Sequence, residues 1–422
     1  MAYAEITALL GGWPGFELID VQREEAGTGH AMPRIVLTLQ AIPGYPKTCS
    51  RCGQSVTAVH DVSPREVRDL PILEAETWLV LPRARVQCPR CGPTVEAVAW
   101  LDRYQRMTTR LAESIARLCQ VLPITDVAAW YRVGWDAVKQ IDARALARRL
   151  GPVDLRDVQV IAIDEFALHR GHRYATVVAD PRTKRVLWVG PGRDRAALRA
   201  FLTQLGAAGR ARLDAAVMDM SQSYTKEFNA QCPQAAIVYD CFHVMAAYGK
   251  EVVDRVRVDE MNRLGRALPR GNPGRVRRAA ERRVYWGARW LLLRNRAHLT
   301  RAEDRVRLRE LLRANRALFV VYVLKEDLQQ LWRYRAVAAA RRFWRGWYRR
   351  ALASHLAPLI RFAEFLARHI DGVLNHCRFP LNNGFLEGMM NKIKVLKRRA
   401  YGFRDDNYFF LKIRAAFPGI PG

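Results

Sequence analysis

Cys49-Ser50-Arg51-Cys52-Gly53 and Cys88-Pro89-Arg90-Cys91-Gly92 repeat one short pattern, and together they restrict how the N-terminal part of the chain can fold. Each C-x-x-C makes a tight turn that offers two thiolates, and two such knuckles complete a tetrahedron around a structural Zn2+. The gap between the pairs is longer than in the smallest zinc ribbons, so a hairpin is expected to fill it. Strand-like segments around Val56–His60 and Trp78–Val86 suit that hairpin. Buried or redox-active thiols are the alternative, which a lone C-x-x-C would leave open. Four further cysteines are scattered, which is not the framework of a disulfide-stapled secreted domain. Residues 1–45 alternate apolar and polar positions, as in Ile35-Val36-Leu37-Thr38-Leu39, and predict strands.

From Arg106 to Leu150 the period becomes helical. Leu111, Ile115 and Leu118 share one face. Ile124–Tyr131 and Trp135–Asp142 then read as two helices with a tight connection, and Val127, Ala128, Val133, Val138 and Ile141 suit a helix-turn-helix. The second helix would read a major groove, with Trp135, Lys139 and Arg144 toward DNA. Arg132 occupies the turn position where glycine is usual, so plain helical packing stays open.

The chain has 422 residues, a net charge of +28 and a pI near 10.4, half of it hydrophobic. This is a folded protein with room for several domains, and its charge favours a polyanion such as DNA or RNA. An anionic membrane surface is the weaker reading, because the charge is spread along helical stretches and not gathered beside an apolar anchor. No signal peptide and no run long enough to span a membrane are visible. A cytoplasmic, nucleoid-associated location is expected.

Against this basic background three carboxylates stand out. Asp164 ends the apolar run 158–163, Asp219 ends 215–218, and Glu387 lies in Asn382-Asn383-Gly384-Phe385-Leu386-Glu387-Gly388. Strand ends and a helix that gather carboxylates describe a site for hard divalent cations, two Mg2+ (or Mn2+), acting on phosphodiesters. Helical spacing puts Asn391 on the Glu387 face, with Lys394 and Arg398 beyond it, suited to contacting phosphates. Glu165 follows Asp164 but should point to the opposite strand face. Asp240, in Tyr239-Asp240-Cys241-Phe242-His243, also ends a strand and rivals Asp219; with His243 it is an accessory candidate. His169, His172 and His243 are open between a metal site and ordinary hydrogen bonding or DNA contact.

Around these acids, 158–163, 174–178 and 185–189 read as consecutive strands, followed by a helix at 194–205. A strand at 215–218, a helix at 224–230 and a strand at 235–239 complete the segment. The order β-β-β-α-β-α-β is that of the ribonuclease H-like fold. Residues 244–378 read as Arg-rich helices broken at Pro269–Gly274, with Trp286, Trp290, Trp332, Trp344 and Trp347 expected mainly in a bundle core. Runs such as Arg341-Arg342 and Arg349-Arg350 read as solvated faces or as phosphate contacts.

Several of these stretches together resemble the DDE transposases of bacterial insertion sequences in the ISL-three family. They are Ile163–Ala167 with Arg170–Tyr174, Asp219-Met220-Ser221, Asp240–Val244, Asn383–Glu387, Asn391–Lys394 and Lys397–Phe403. The resemblance implies a catalytic triad of Asp164, Asp219 and Glu387, with the helical segment inserted between its second and third members. Met389-Met390 departs from the more polar residues expected after Glu-Gly. The implied chain is multidomain, mixing α+β and α/β. A zinc-binding β domain (1–100) and a helix-turn-helix (101–152) precede a ribonuclease H-like core (153–245 and 379–422) interrupted by an all-α insertion (246–378). The implied partners are terminal inverted repeats and target DNA, bound by a homodimer or larger assembly. A non-catalytic DNA-binding regulator and a structure-specific nuclease are the alternatives.

Overall fold

A computed structural model describes residues 3–27, 32–169, 171–265, 272, 274–381 and 384–420. The sequence expectations on Arg170, on Pro269, Arg270, Gly271 and Pro273, and on Asn382 and Asn383 fall outside the described residues. The chain forms two compact units, Met1–Gly151 and Pro152–Gly422.

In the first unit a short helix, α1 (Tyr3–Leu9), precedes β1 (Phe16–Glu24), β2 (Arg34–Ala41), β3 (Lys47–Cys49), β4 (Ser55–Val56), β5 (Val59–Ile72), β6 (Ala75–Cys88) and β7 (Gly92–Ala97). The sheet order is β1-β2-β6-β7-β3-β4, with β5 also paired to β6. The antiparallel β5–β6 hairpin is the filler expected between the two C-x-x-C pairs. Alternate residues of β2, β5 and β6 face inward, so Leu37, Leu39, Val67, Leu79 and Leu81 are buried with Trp13.

Helices α2 (Thr109–Leu118), α3 (Ile124–Tyr131) and α4 (Trp135–Leu150) follow. Leu111, Ile115, Val127, Val138 and Ile141 close their shared core, and Leu118 and Val133 pack at its margin. Thr108 caps α2 by accepting the Leu111 amide proton. Arg132 does the work expected of glycine between α3 and α4, in the left-handed region at φ 51°, ψ 45°. Arg68 of β5 supports that turn by donating to the carbonyls of Tyr131 (2.6 Å) and Arg132 (3.0 Å).

The second unit is built on β8 (Val160–His169), β9 (Arg173–Asp180), β10 (Arg185–Pro191), β11 (Ala215–Met218) and β12 (Ala236–Tyr239), in the order β10-β9-β8-β11-β12. The first three strands are antiparallel, and β11 runs parallel to both β8 and β12. Helix α5 (Arg195–Ala211) joins β10 to β11, and α6 (Gln222–Gln231) joins β11 to β12. Strand alternation splits the apolar residues into two layers. Ile161, Ile163, Met218 and Tyr239 face α5 and α6, whereas Val160, Ala162, Val217 and Val238 face the chain's last two helices, α16 (Gly384–Arg399) and α17 (Asp406–Ala416).

Between the two halves of this sheet unit run α7 (Cys241–Tyr248), α8 (Arg255–Gly265), α9 (Gly274–Gly287), α10 (Arg289–Leu293), α11 (Ala302–Ala314), α12 (Arg316–Gln330), α13 (Val337–Leu352), α14 (Ala357–Ala367) and α15 (Ile370–Leu374). The tryptophans divide. Trp344 and Trp347 are buried with rings stacked at 5.3 Å, and Trp332 packs against the same core. Trp286 and Trp290 are instead 74% and 66% exposed, a departure from the core positions expected of them. Among the described residues of α9, α10 and the joint between them, Tyr285, Ala288, Leu291 and Leu292 are the ones turned inward, which leaves both indoles outside. Among the paired arginines, Arg341 and Arg350 bond Asp371 and Asp327 at the surface. Finally α16 (Gly384–Arg399) and α17 (Asp406–Ala416) cover the far face of the sheet. Met389 and Met390 are buried there, which explains why apolar residues follow Glu387-Gly388. No described helix is long and apolar enough to cross a membrane.

Candidate active site

The four cysteine sulfurs meet as the spacing predicts, all within 4.8 Å of one another, with Cys52 and Cys88 3.7 Å apart. A tetrahedron of thiolates at a Zn–S distance of ~2.3 Å has edges of ~3.8 Å, so the spacing matches the metal. Gly53 (φ 71°) and Gly92 (φ 69°) take the left-handed conformation that closes each knuckle. Burial pushes the Cys49 thiol up, but hydrogen bonds from the Cys52 and Arg51 backbones outweigh it and bring it to about 6. Cys49 is therefore poised to lose its proton to a metal, whereas the hydrogen bond with Cys52, together with burial, pushes the Cys91 thiol up to about 12.

In the second unit the sheet brings three aspartates to one level. β8 and β11 pair Ala162 with Val217, and β11 and β12 pair Met218 with Tyr239. Continuing each register aligns Asp164, Asp219 and Asp240 on three adjacent strands. Alternation turns Asp164 toward the face covered by α16, the helix that carries Glu387 in its first turn, while Asp219 and Asp240 directly follow the last residues of β11 and β12. A cleft of about 700 Å³ opens there, and Asp164, Asp240 and Glu387 line it with Asn391, Lys394 and Arg398.

The members differ in their surroundings. Burial, followed by the charges of Asp240 and Glu165, pushes the Asp164 carboxyl up to about 6, against the Glu165 amide and His243, which lower it. Asp219 is exposed, accepts the Met220 amide proton, and stands outside the cleft lining, although its charge reaches Glu165 and His243. Glu387 is exposed on the cleft. Among the described residues the cysteines alone form a compact group of metal-ligating atoms, so the carboxylates are arranged around the opening and not closed upon one another.

The rivals also have places. Glu165 starts from the opposite strand face, as alternation predicts, yet its longer side chain still reaches the cleft rim, where Arg193 lies 3.5 Å away. Asp240 caps α7 by accepting the Phe242 amide proton (2.7 Å), and its other oxygen lies 3.1 Å from His243 Nδ1. That hydrogen bond, opposed by burial and aided by the charges of Asp219 and Asp164, raises His243 to about 9. The three candidate histidines have separate companions: His169 bonds Asp406, His172 stacks on Tyr174, and His243 bonds Asp240. Phe242, Lys397 and Tyr401 also line the cleft, and the dense basic run before Tyr401 is the signal for them in the sequence.

In the first unit Trp135 and Arg144 are exposed on α4, and Lys139 sits 6.0 Å from the Trp135 ring. Arg144 also donates to the Gln140 carbonyl within its own helix. Exposed Gln140 and Arg144, one helical turn apart, share a solvent-facing stripe.

Comparison with known proteins covers the same three regions. Residues 161–413 match a family described as a transposase. Residues 96–146 match the helix-turn-helix domain of transposase family ISL3, and residues 46–91 match the zinc finger of the transposases of IS204, IS1001, IS1096 and IS1165. Over 412 residues the chain is 46% identical to the transposase for insertion sequence element IS1001 of Bordetella parapertussis, covering 97% of both proteins. It is 29% identical over 428 residues to the transposase for insertion sequence element IS1557 of Mycobacterium tuberculosis, covering 96% of this chain and 94% of that relative.

Proposed function

The chain belongs to the ISL3 family of insertion-sequence transposases, and from that premise we propose that it cuts and joins DNA strands at Asp164, Asp219 and Glu387 on a ribonuclease H-like core. The observation that carries this reading is the shared cleft of Asp164 and Glu387, with Asp219 immediately past the end of the neighbouring strand β11. The strand order β10-β9-β8-β11-β12, with three antiparallel strands followed by two parallel ones, supports the ribonuclease H-like assignment. Residues 153–245 and 379–422 would form that core, with 246–378 inserted and the zinc ribbon (1–100) and helix-turn-helix (101–152) ahead of it.

The donor chemistry suits a hard dication: the candidate ligands are carboxylate oxygens, and Asp164 is held up near 6 by burial beside Asp240 and Glu165. Bound at Asp164, Asp219 and Glu387, Mg2+ ions would activate the attacking oxygen and offset charge on the leaving one. The chain's own groups do the rest. Lys394 and Arg398 offer cations to the phosphates of the strand, and Asn391 offers an amide beside Glu387. Water oxygen attacks the phosphorus at the element's end, the bond to the 3′ oxygen breaks, and a 3′-hydroxyl and a 5′-phosphate result. That hydroxyl then attacks a target phosphorus and displaces the target's own 3′ oxygen. The helix-turn-helix, with Trp135, Lys139 and Arg144, binds the terminal inverted repeats. Two ends must be held together, so a dimer or larger assembly on DNA is expected.

Cleavage of a terminal-repeat duplex in Mg2+ tests the proposal. Asp164→Ala, Asp219→Ala and Glu387→Ala should each abolish cutting while leaving duplex binding intact. Wild-type cutting by all three variants would sink it.

A further inference from the structure

We propose that Phe242 and Tyr401 form a stacking clamp that takes an unpaired nucleobase at the mouth of the carboxylate cleft, a proposal that rests on the cleft being a DNA strand-cleaving site. Both rings line that cleft and both are open to water, Phe242 at 53% and Tyr401 at 94% exposure. They come from different elements, Phe242 from the start of α7 and Tyr401 from the turn that follows α16.

Neither ring serves the core. On α7 the buried positions are Val244 and Tyr248, so Phe242 lies off the packed face. It is nevertheless fixed: Asp240 accepts its amide proton, and its ring meets His243 edge-on at 5.7 Å. Asp240 thereby positions both the aromatic ring and the imidazole beside the carboxylates.

Tyr401 is the stronger sign. The Gly402 amide donates to the Lys397 carbonyl (2.9 Å) and the Tyr401 amide to the Arg398 carbonyl (3.0 Å), the pattern that ends a helix on a left-handed residue. Tyr401 occupies that left-handed position at φ 53°. Glycine suits such a position best, because a β-carbon there meets the following carbonyl. The tyrosine strains the backbone and packs against nothing that folding needs, so its ring is better explained by what it presents outward.

The surroundings select the occupant. Lys394 and Arg398 line the same cleft, so cations for phosphates stand beside rings for an apolar, flat group. That pairing of basic groove and aromatic platform is how proteins hold unpaired nucleotides. A base inside a duplex has both faces covered by its neighbours; a frayed or flipped base near the scissile phosphate does not.

The test uses the full-length protein and two versions of the terminal-repeat end read from the DNA flanking the gene. One version is fully paired and the other forked, with 2-aminopurine in the unpaired arm. Without divalent cation, wild type should quench the 2-aminopurine on the fork. Phe242→Ala and Tyr401→Ala should each lose the quenching and bind the fork about tenfold more weakly, with paired-duplex affinity changed less than twofold. Tyr401→Trp should keep the quenching, and melting temperatures should hold, since the rings are exposed. Unaltered quenching and fork affinity in both alanine variants would overturn the clamp. So would a loss of self-association by those variants with quenching intact, which would make the rings a contact between copies. The two readings fail separately: Mg2+-dependent cutting without quenching removes the clamp alone. Quenching in a protein whose triad variants still cut removes the catalytic assignment and leaves the clamp standing.

Discussion

The Lys397 ammonium donates to the Ala167 carbonyl across 3.0 Å, tying the last turn of α16 to the strand that carries Asp164. Glu387 and Asp164 belong to distant parts of the chain, and this bond helps hold their elements at one spacing. Lys397→Met keeps the stem and removes the donor. The bond is exposed, so stability should fall by no more than ~1 kcal/mol. Strand cleavage should fall by about tenfold or more, because a small misplacement of catalytic groups is costly. Melting curves beside single-turnover cleavage rates separate the two effects. Equal losses in folding and cutting would mean the bond merely stabilises the unit.

Arg68 holds the helix-turn-helix from outside it, donating to both carbonyls of the left-handed turn and pairing with Glu76 at 2.9 Å. Arg68→Met should destabilise the first unit by ~1–3 kcal/mol and weaken binding to the terminal repeat. Arg68 is spent on the turn and not on phosphate. The slope of log affinity against log salt should therefore match that of wild type, whereas Arg144→Ala should flatten it by about one. A flattened slope in Arg68→Met would place that arginine on the DNA instead.

The zinc knuckles predict a clean stoichiometry. Purified protein should carry one Zn2+ per chain, and Cys52→Ser or Cys88→Ser should bring that to near zero. Structural zinc contributes its binding free energy directly to folding, so chelation should unfold the β3–β7 region and abolish repeat binding. Metal analysis with far-ultraviolet dichroism checks both. Retained zinc in the single serine variants would mean the cluster is not closed by all four thiols.

Local patterns carried far into this fold. The cysteine spacing implied the β5–β6 hairpin, apolar runs located the five strands of the second unit, and 3.6-residue spacing put Asn391, Lys394 and Arg398 on the Glu387 side of α16. Longer-range facts were not legible. Whether Asp240 binds outward or caps its own helix depends on the turn after β12, which no periodicity encodes. Trp286 and Trp344 are alike in sequence, each set among arginines, and only tertiary packing makes one exposed and the other buried. Arg132 looked wrong for its turn because its support, Arg68, comes from a distant strand.

Glu227 gives the second unit a pH dependence of its own. It is buried on α6 and receives Arg199 through two bonds (2.8 and 2.9 Å) and Arg195 through one (3.0 Å), clamping α6 to α5. The Arg199 hydrogen bonds, opposed by burial and joined by those from Arg195 and Gln231, bring its carboxyl from near 4.5 to about 2. The carboxylate form is thus the one the fold favours, and the stability it contributes is fully present above pH 4.5. It is lost as pH falls from there through about 2. Both arginine side chains are half exposed, so the contribution should be nearer ~1–2 kcal/mol than that of a fully buried pair. Glu227→Gln should lower the melting temperature at pH 7, and the gap to wild type should close between pH 4.5 and 2. A gap that stays constant across that range would show that the glutamine disturbs packing and not the ion pairs.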